Sequence, residues 1–199
     1  LRMSKTVHIG YYFVAFIDIV GQRDWLKQLV TLPRSDVEKQ DVERILLKTS
    51  EYVKDLRGQF DEYFNEAMKP TGLLDKLNPE QRKWVEQRKQ TILWRRGFAD
   101  SYFLTVPCWY ESSRGAHSLA IYSSLFSICG LFIWALARKN PFRGAVEVGL
   151  GTEISKEEIY GPVNVRVVEL ERDAGYPRIM VGSELLFDLS PSLPIFQFI

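Results

Sequence analysis

The sequence predicts an α+β fold: an antiparallel or mixed sheet carrying helices on one face. Three observations lead there. Residues 11–20 are apolar, rich in β-branched and aromatic types, and read as a buried strand. A long helical pattern runs from Ser35 to about Met68. Two further strands flank a tight turn near Arg96–Asp100, and strands and helices interleave from there on.

Each element has its own signal. In the first strand one carboxylate, Asp18, interrupts the apolar run, and Gly21 ends it. Ser35 can cap the long helix, whose apolar residues Val37, Val42, Ile45, Leu46, Val53 and Leu56 recur mostly at three- and four-residue spacing. "KPTG" at 69–72 breaks it. Asn78-Pro79 followed by Glu80 reads as a second helix start, running to about Lys89. "TILWRRGFADSYFLTVPCW" reads as a hairpin. Residues 118–137, "SLAIYSSLFSICGLFIWALA", form an uncharged helix. "RGAVEVGLGTEI" is strand-like, "SKEEIYGP" leads into a helix over Val163–Asp173, and "PRIMVG" is a short last strand. There is no internal repeat or low-complexity tract. The final stretch, "ELLFDLSPSLPIFQFI", is apolar and proline-broken and matches no motif.

Composition narrows the function. A chain of 199 residues fits a single domain over 1–199 and can bury a proper core. The formal charge of +1 argues against a generally basic nucleic-acid binder. Cys108 and Cys129 are too few and too far apart for a disulfide framework, and their apolar settings predict two buried thiols in a reducing compartment. His8 and His117 have no metal-ligand spacing with them, which disfavours a zinc site. The start carries no signal-peptide pattern. By length alone the uncharged segment either spans a membrane or packs as a buried helix.

Asp18 and Asp100 are the carboxylates that need explaining. A buried carboxylate is costly unless it is paired or binds a metal. If the strands that carry them are neighbours, the two acids meet at one sheet edge, and oxygen ligands there suit Mg²⁺ or Mn²⁺. Spacing alone leaves the other arrangement open: Asp18 capping the next helix and Asp100 in a solvated turn.

Four blocks carry a resemblance. "FIDIVG" resembles the first-strand motif of class III nucleotidyl cyclases, and "GFADSYFLTV" resembles their hairpin motif. "FRGAVEVG" resembles their Arg-Gly strand, and "IYGPVNVRVVELE" with "YPRIMVG" resembles the closing helix and strand. The blocks keep the family's order and span most of the chain. The form "YGP…ELE…YPRI" is most similar to the bacterial Pycsar pyrimidine cyclases, antiphage enzymes that make cyclic UMP or cyclic CMP.

The resemblance implies a ferredoxin-like class III nucleotidyl cyclase catalytic domain with a mixed or antiparallel sheet and helices packed on it. The uncharged segment then becomes a packed helix, with no membrane span, in a cytoplasmic protein. Asp18 and Asp100 match the two metal aspartates, and the Ile19 carbonyl matches the backbone ligand, for two Mg²⁺ or Mn²⁺ ions. Gly21 and Arg23 fall in the turn that approaches the phosphates, where backbone N–H groups at the next helix's start would help. Arg96 and Glu158 fall at the positions that read the base, with Trp94 or Tyr102 shortening the pocket. The implied substrate is UTP, or alternatively CTP. The implied assembly is a homodimer with active sites between subunits, and a separate effector protein senses the product. No nucleic-acid partner is implied.

One departure stands out. The family places an Asn and an Arg four apart on the last helix, and the matching positions here hold Val165 and Glu169. Asn164 and Arg166 lie beside the first of these, rotated by about 100°. Transition-state charge then falls to another cation, among Arg23, Arg143, Arg166 and Arg178. Arg143 and Arg178 are equally suited to anchoring strand ends. The same departure supports an alternative, a degenerate cyclase fold that acts as a nucleotide-binding scaffold.

Overall fold

The computed structural model of the protein describes residues 9–69, 78–79, 93–109, 118–155 and 157–189. The helix expected over 80–89, His8, His117 and the segment 190–199 lie outside these residues. β1 (Ile9–Ile19) leads through a one-turn helix, α1 (Gln22–Leu26), into the long helix α2 (Asp36–Ala67). β2 (Trp94–Phe98) and β3 (Ser101–Trp109) form the expected hairpin, and α3 (Ser118–Ala137) is the uncharged helix. β4 (Phe142–Ser155), β5 (Glu158–Tyr160), α4 (Pro162–Asp173), β6 (Ile179–Val181) and α5 (Ser183–Leu189) complete the order. The β4–β5 hairpin was hidden in the stretch read as a lead-in to α4, and α5 occupies part of the unassigned C-terminal stretch.

The strand order is β2-β3-β1-β4-β5, with β6 paired to β4. β1 is antiparallel to both neighbours, and among the described residues only the β4–β6 pair is parallel, so the sheet is mixed. β1 is therefore buried on both faces. That is why it reads as a nearly continuous apolar run rather than an alternating one.

Alternation along β1 divides the interior in two. Phe13, Ala15, Ile17 and Ile19 pack with Leu56, Phe60 and Phe64 of α2 and with Ile128, Leu131 and Ala135 of α3. Tyr12, Val14 and Phe16 turn the other way, to Trp94 of β2 and to Val163 and Val167 of α4. Helices therefore cover both faces, not one. The sequence reading missed this because α4 presents only a narrow stripe, Val163, Val167 and Glu171, at four-residue spacing.

Local signals fix the helix ends. Ser35 caps α2, its hydroxyl accepting from the Glu38 N–H at 3.3 Å, while the Glu38 carboxylate accepts from the Arg34 N–H. Pro162 opens α4 at the position where its missing N–H costs nothing. Glu147, 1% exposed, holds the start of α5: its Oε1 accepts from the Leu185 N–H at 3.0 Å.

α3 is packed on one side only. Tyr122, Phe126 and Ile133 face outward, and so does Cys129, which corrects the expectation of two buried thiols; Cys108 is buried as predicted. Ser124 and Ser127 lie on its inner side, where the Ser127 hydroxyl donates to the Ser123 carbonyl at 2.6 Å. Among the described residues no helix is long and apolar enough to cross a membrane.

Candidate active site

Register places the first carboxylate. Asp18 lies opposite Ser101 on β3 and opposite Arg143 on β4, so all three side chains share the face away from α2 and α3. Ser101 Oγ donates to Asp18 Oδ1 at 3.0 Å, and Arg143 Nη2 donates to Oδ2 at 3.3 Å. Arg143 Nε pairs in turn with Glu171 on α4, whose side chain is only 4% exposed. Burial pushes the Glu171 carboxyl above its usual range; the Arg143 guanidinium opposes this, and the Asp18 charge reinforces it. Asp18 does not cap α1, because the residue at that position is Gly21 and no side chain bonds there.

The second carboxylate is carried at the same end of the β1–β3 pair. Asp100 lies in the two-residue turn between β2 and β3, one position before the strand start expected for it. The Ile19 N–H donates to the Asp100 carbonyl at 3.2 Å, tying the end of β1 to that turn. The main chains of Ile19 and Asp100 are thus neighbours, with Asp18 and Asp100 at the same end of the β1–β3 pair. Ala99 holds a left-handed φ of 51° in this turn, where an L side chain is strained.

The donor set fits a hard divalent cation. The Asp18 and Asp100 carboxylates and the Ile19 carbonyl offer oxygen donors of the kind such a cation takes, and the Asp18 side chain is 23% exposed at its strand end. Among the described residues no group of three or more His, Cys, Asp or Glu gathers to form an all-protein cage.

Arg96 and Glu158 meet. Arg96 shares the face of β2 with Trp94, away from α2. Its Nη2 lies 3.5 Å from Glu158 Oε2, and its Nε donates to the Glu157 carbonyl at 3.3 Å. β2 and β5 stand at opposite ends of the strand order, so the β4–β5 tip reaches across the sheet to make this contact. Ser155, absent from the sequence reading, completes the cluster: its hydroxyl donates to Glu158 Oε2 at 2.6 Å. Glu157 at this tip is again left-handed, φ 64°. Both hairpins that carry site residues therefore turn through strained positions.

Other expected residues fall elsewhere. Tyr102 points to the α2 side, packing edge-on to Phe60 and under the Arg57 guanidinium; it cannot shorten a pocket beside Arg96. Burial raises its hydroxyl well above the usual tyrosine range, with Asp61 adding to the effect. Trp94 lies on the Arg96 face but is buried against Tyr12, ring centroids 5.9 Å apart. Gly21, φ 88°, lets the chain leave β1 and enter α1, and Arg23 is exposed on that helix. α1 is a five-residue helix that starts directly after Gly21. Arg166 is half-exposed, with Nη1 3.7 Å from Glu184. Arg178 stacks on Tyr176 and donates to the Asp173 carbonyl, an anchor for the loop after α4. Val165 and Glu169 lie on the exposed side of α4.

No family model and no curated protein matches the chain. Solved structures do. The adenylyl cyclase CyaB from P. aeruginosa shares 12% identity over 94% of this chain and 83% of that one, with a TM-score of 0.50. The chain has the fold of a cyclase catalytic domain. The monomeric guanylyl cyclase domain of the RhoGC fusion protein from the aquatic fungus Blastocladiella emersonii is also similar, at 11% identity, 94% and 90% coverage and a TM-score of 0.48. Within this cyclase fold, Asp18 and the Asp100 turn lie at the same end of the β1–β3 pair, and Arg96 lies on the same face as Asp18.

Proposed function

We propose that the protein is a nucleotidyl cyclase, one domain over residues 1–199, that converts UTP to a 3′,5′-cyclic nucleotide and pyrophosphate. The observation that carries this reading is the Arg96–Glu158 pair, assembled from two distant hairpins, with Arg96 on the face that holds Asp18. Arg96 can only donate and an ionised Glu158 only accept. Uracil answers both, with a carbonyl for the arginine and N3–H for the carboxylate. Cytosine answers with N3 and its amino group, so CTP is the second substrate arm.

In this reading Asp18, Asp100 and the Ile19 carbonyl would hold two Mg²⁺ or Mn²⁺ ions. When bound, these ions lower the pKa of the ribose 3′-hydroxyl and neutralise triphosphate charge. The 3′-oxygen, having lost its proton to water, forms a bond to the α-phosphorus. The bond from that phosphorus to the bridging oxygen breaks in line, and pyrophosphate leaves with the electron pair. Ser101 orients the Asp18 carboxylate. Arg23, exposed beside the Gly21 turn, and Arg166, half-exposed on α4, supply positive charge for the phosphates. Arg143 and Arg178 are engaged in anchoring instead. The cyclase works as a cytoplasmic homodimer with sites between subunits, and its product signals to a separate effector in antiphage defence.

Incubation of the purified protein with each of the four NTPs and Mn²⁺, with cyclic products identified by mass, tests the proposal. Cyclic UMP, and less cyclic CMP, is expected. No cyclic pyrimidine product, with wild type and Asp100→Ala indistinguishable, overturns it. A second reading has its own observation: Val165, 58% exposed, and Glu169 stand where the family's Asn and Arg would act. It predicts metal-dependent binding of a non-hydrolysable NTP without turnover.

A further inference from the structure

Asp18, Arg143 and Glu171 form a chain in which one cation serves two carboxylates, with a formal net charge of −1. The two contacts use different atoms of the guanidinium, Nη2 toward Asp18 and Nε toward Glu171. A guanidinium fork holds partners on separate edges, so one contact can break without the other. The two carboxylates are not equivalent. Asp18 is 23% exposed and keeps the Ser101 hydroxyl, whereas Glu171 is 4% exposed and would be left as an unpaired buried charge if Arg143 departed.

We propose that Arg143 is a resident counter-ion for Asp18, exchanged for the incoming divalent cation while it stays bound to Glu171. This rests on the reading of Asp18 as a metal ligand. Arg143 is thus a positioning residue. It keeps the carboxylate aimed and paired before metal arrives, and it sets the metal affinity by competing for Oδ2. Because Glu171 lies on α4, which packs on β4 and β1, occupation of the metal site is felt by that helix through Arg143.

The exchange has a readout independent of turnover. In ¹⁵N-labelled full-length protein, the Arg143 Nε–H signal is assigned by its loss in Arg143→Lys and followed as Mg²⁺ is added. The signal should persist, because Glu171 still holds Nε. It should also shift along a curve that saturates with the Mg²⁺ dissociation constant from calorimetry. Arg143→Gln should tighten Mn²⁺ binding roughly fivefold, the scale of one partly exposed ion pair. An Arg143 signal that ignores saturating Mg²⁺, or Arg143→Gln binding Mn²⁺ no tighter than wild type, overturns the exchange. Asp18→Asn separates the two failures. If that variant binds Mg²⁺ as well as wild type, the metal reading of Asp18 is wrong, and the exchange with it. If it loses Mg²⁺ while the wild-type Arg143 signal stays still, only the exchange is wrong.

Discussion

The two faces of the sheet are built from alternate residues of the same strands and do different work. Under α2 and α3, Phe13, Ala15, Ile17 and Ile19 join one large apolar cluster, with a few polar groups such as Ser127, whose hydroxyl bonds back to its own helix. Under α4, the same strand presents Tyr12, Val14 and Phe16 and then Asp18, and the apolar patch gives way to linked charges. A one-residue slip of β1 would exchange the two sets, so the register that protects the core also aims the carboxylate. The larger apolar cluster lies on one face and the proposed chemistry on the other, and variants should separate them.

The largest expected effect lies on the α2 side. Phe60→Ala removes a fully buried ring and should cost about 3–5 kcal/mol in denaturant unfolding. The fraction that remains folded should keep its activity, and a loss of turnover per folded molecule would break the division. On the other face, Asp100→Ala should lower cyclic nucleotide formation by about 10²–10³-fold, the scale of losing one electrostatic transition-state contact. Its melting temperature should stay near wild type. Arg96→Ala should lower kcat/KM for UTP by about 10–100-fold, the scale of one charge-assisted hydrogen bond. A uniform loss for all four NTPs would assign Arg96 to the phosphates instead.

The smallest effect concerns pH. Burial raises the Glu171 carboxyl above 4.5, so the folded state holds its proton more tightly than the unfolded chain does. The stability this contributes is complete below 4.5 and is lost as pH rises through the raised value. Compared with Glu171→Gln, wild type should gain in melting temperature as pH falls from neutral towards 4.5, and a constant difference would show that Glu171 does not titrate there.

Much of this was legible in the sequence because it is local. The Asp18 interruption, the β2–β3 turn and the Ser35 cap each lie within one short segment; the turn falls inside the Arg96–Asp100 stretch the sequence marks, narrowed to Ala99–Asp100. What stayed hidden depends on pairing between distant segments. Ser101 and Arg143 became partners of Asp18 only through the β1–β3 and β1–β4 registers. Glu171 looks like a surface acid until α4 is laid on the sheet, where its position on the Val163–Val167 stripe turns it inward. Ser155 enters only because the β4–β5 tip crosses to β2. Tyr102 was placed on the wrong face because its neighbours in sequence say nothing about which side α2 covers.

The central claim is that the Asp18 face performs an intramolecular phosphoryl transfer on a pyrimidine triphosphate. ³¹P NMR of UTP incubated with the protein and Mg²⁺ tests it most directly. The account predicts that the three UTP resonances decline together, replaced by one cyclic diester and pyrophosphate in equal amounts, with no change in the Asp100→Ala sample. Release of inorganic phosphate without a cyclic diester, or an unchanged spectrum from wild type, would contradict it.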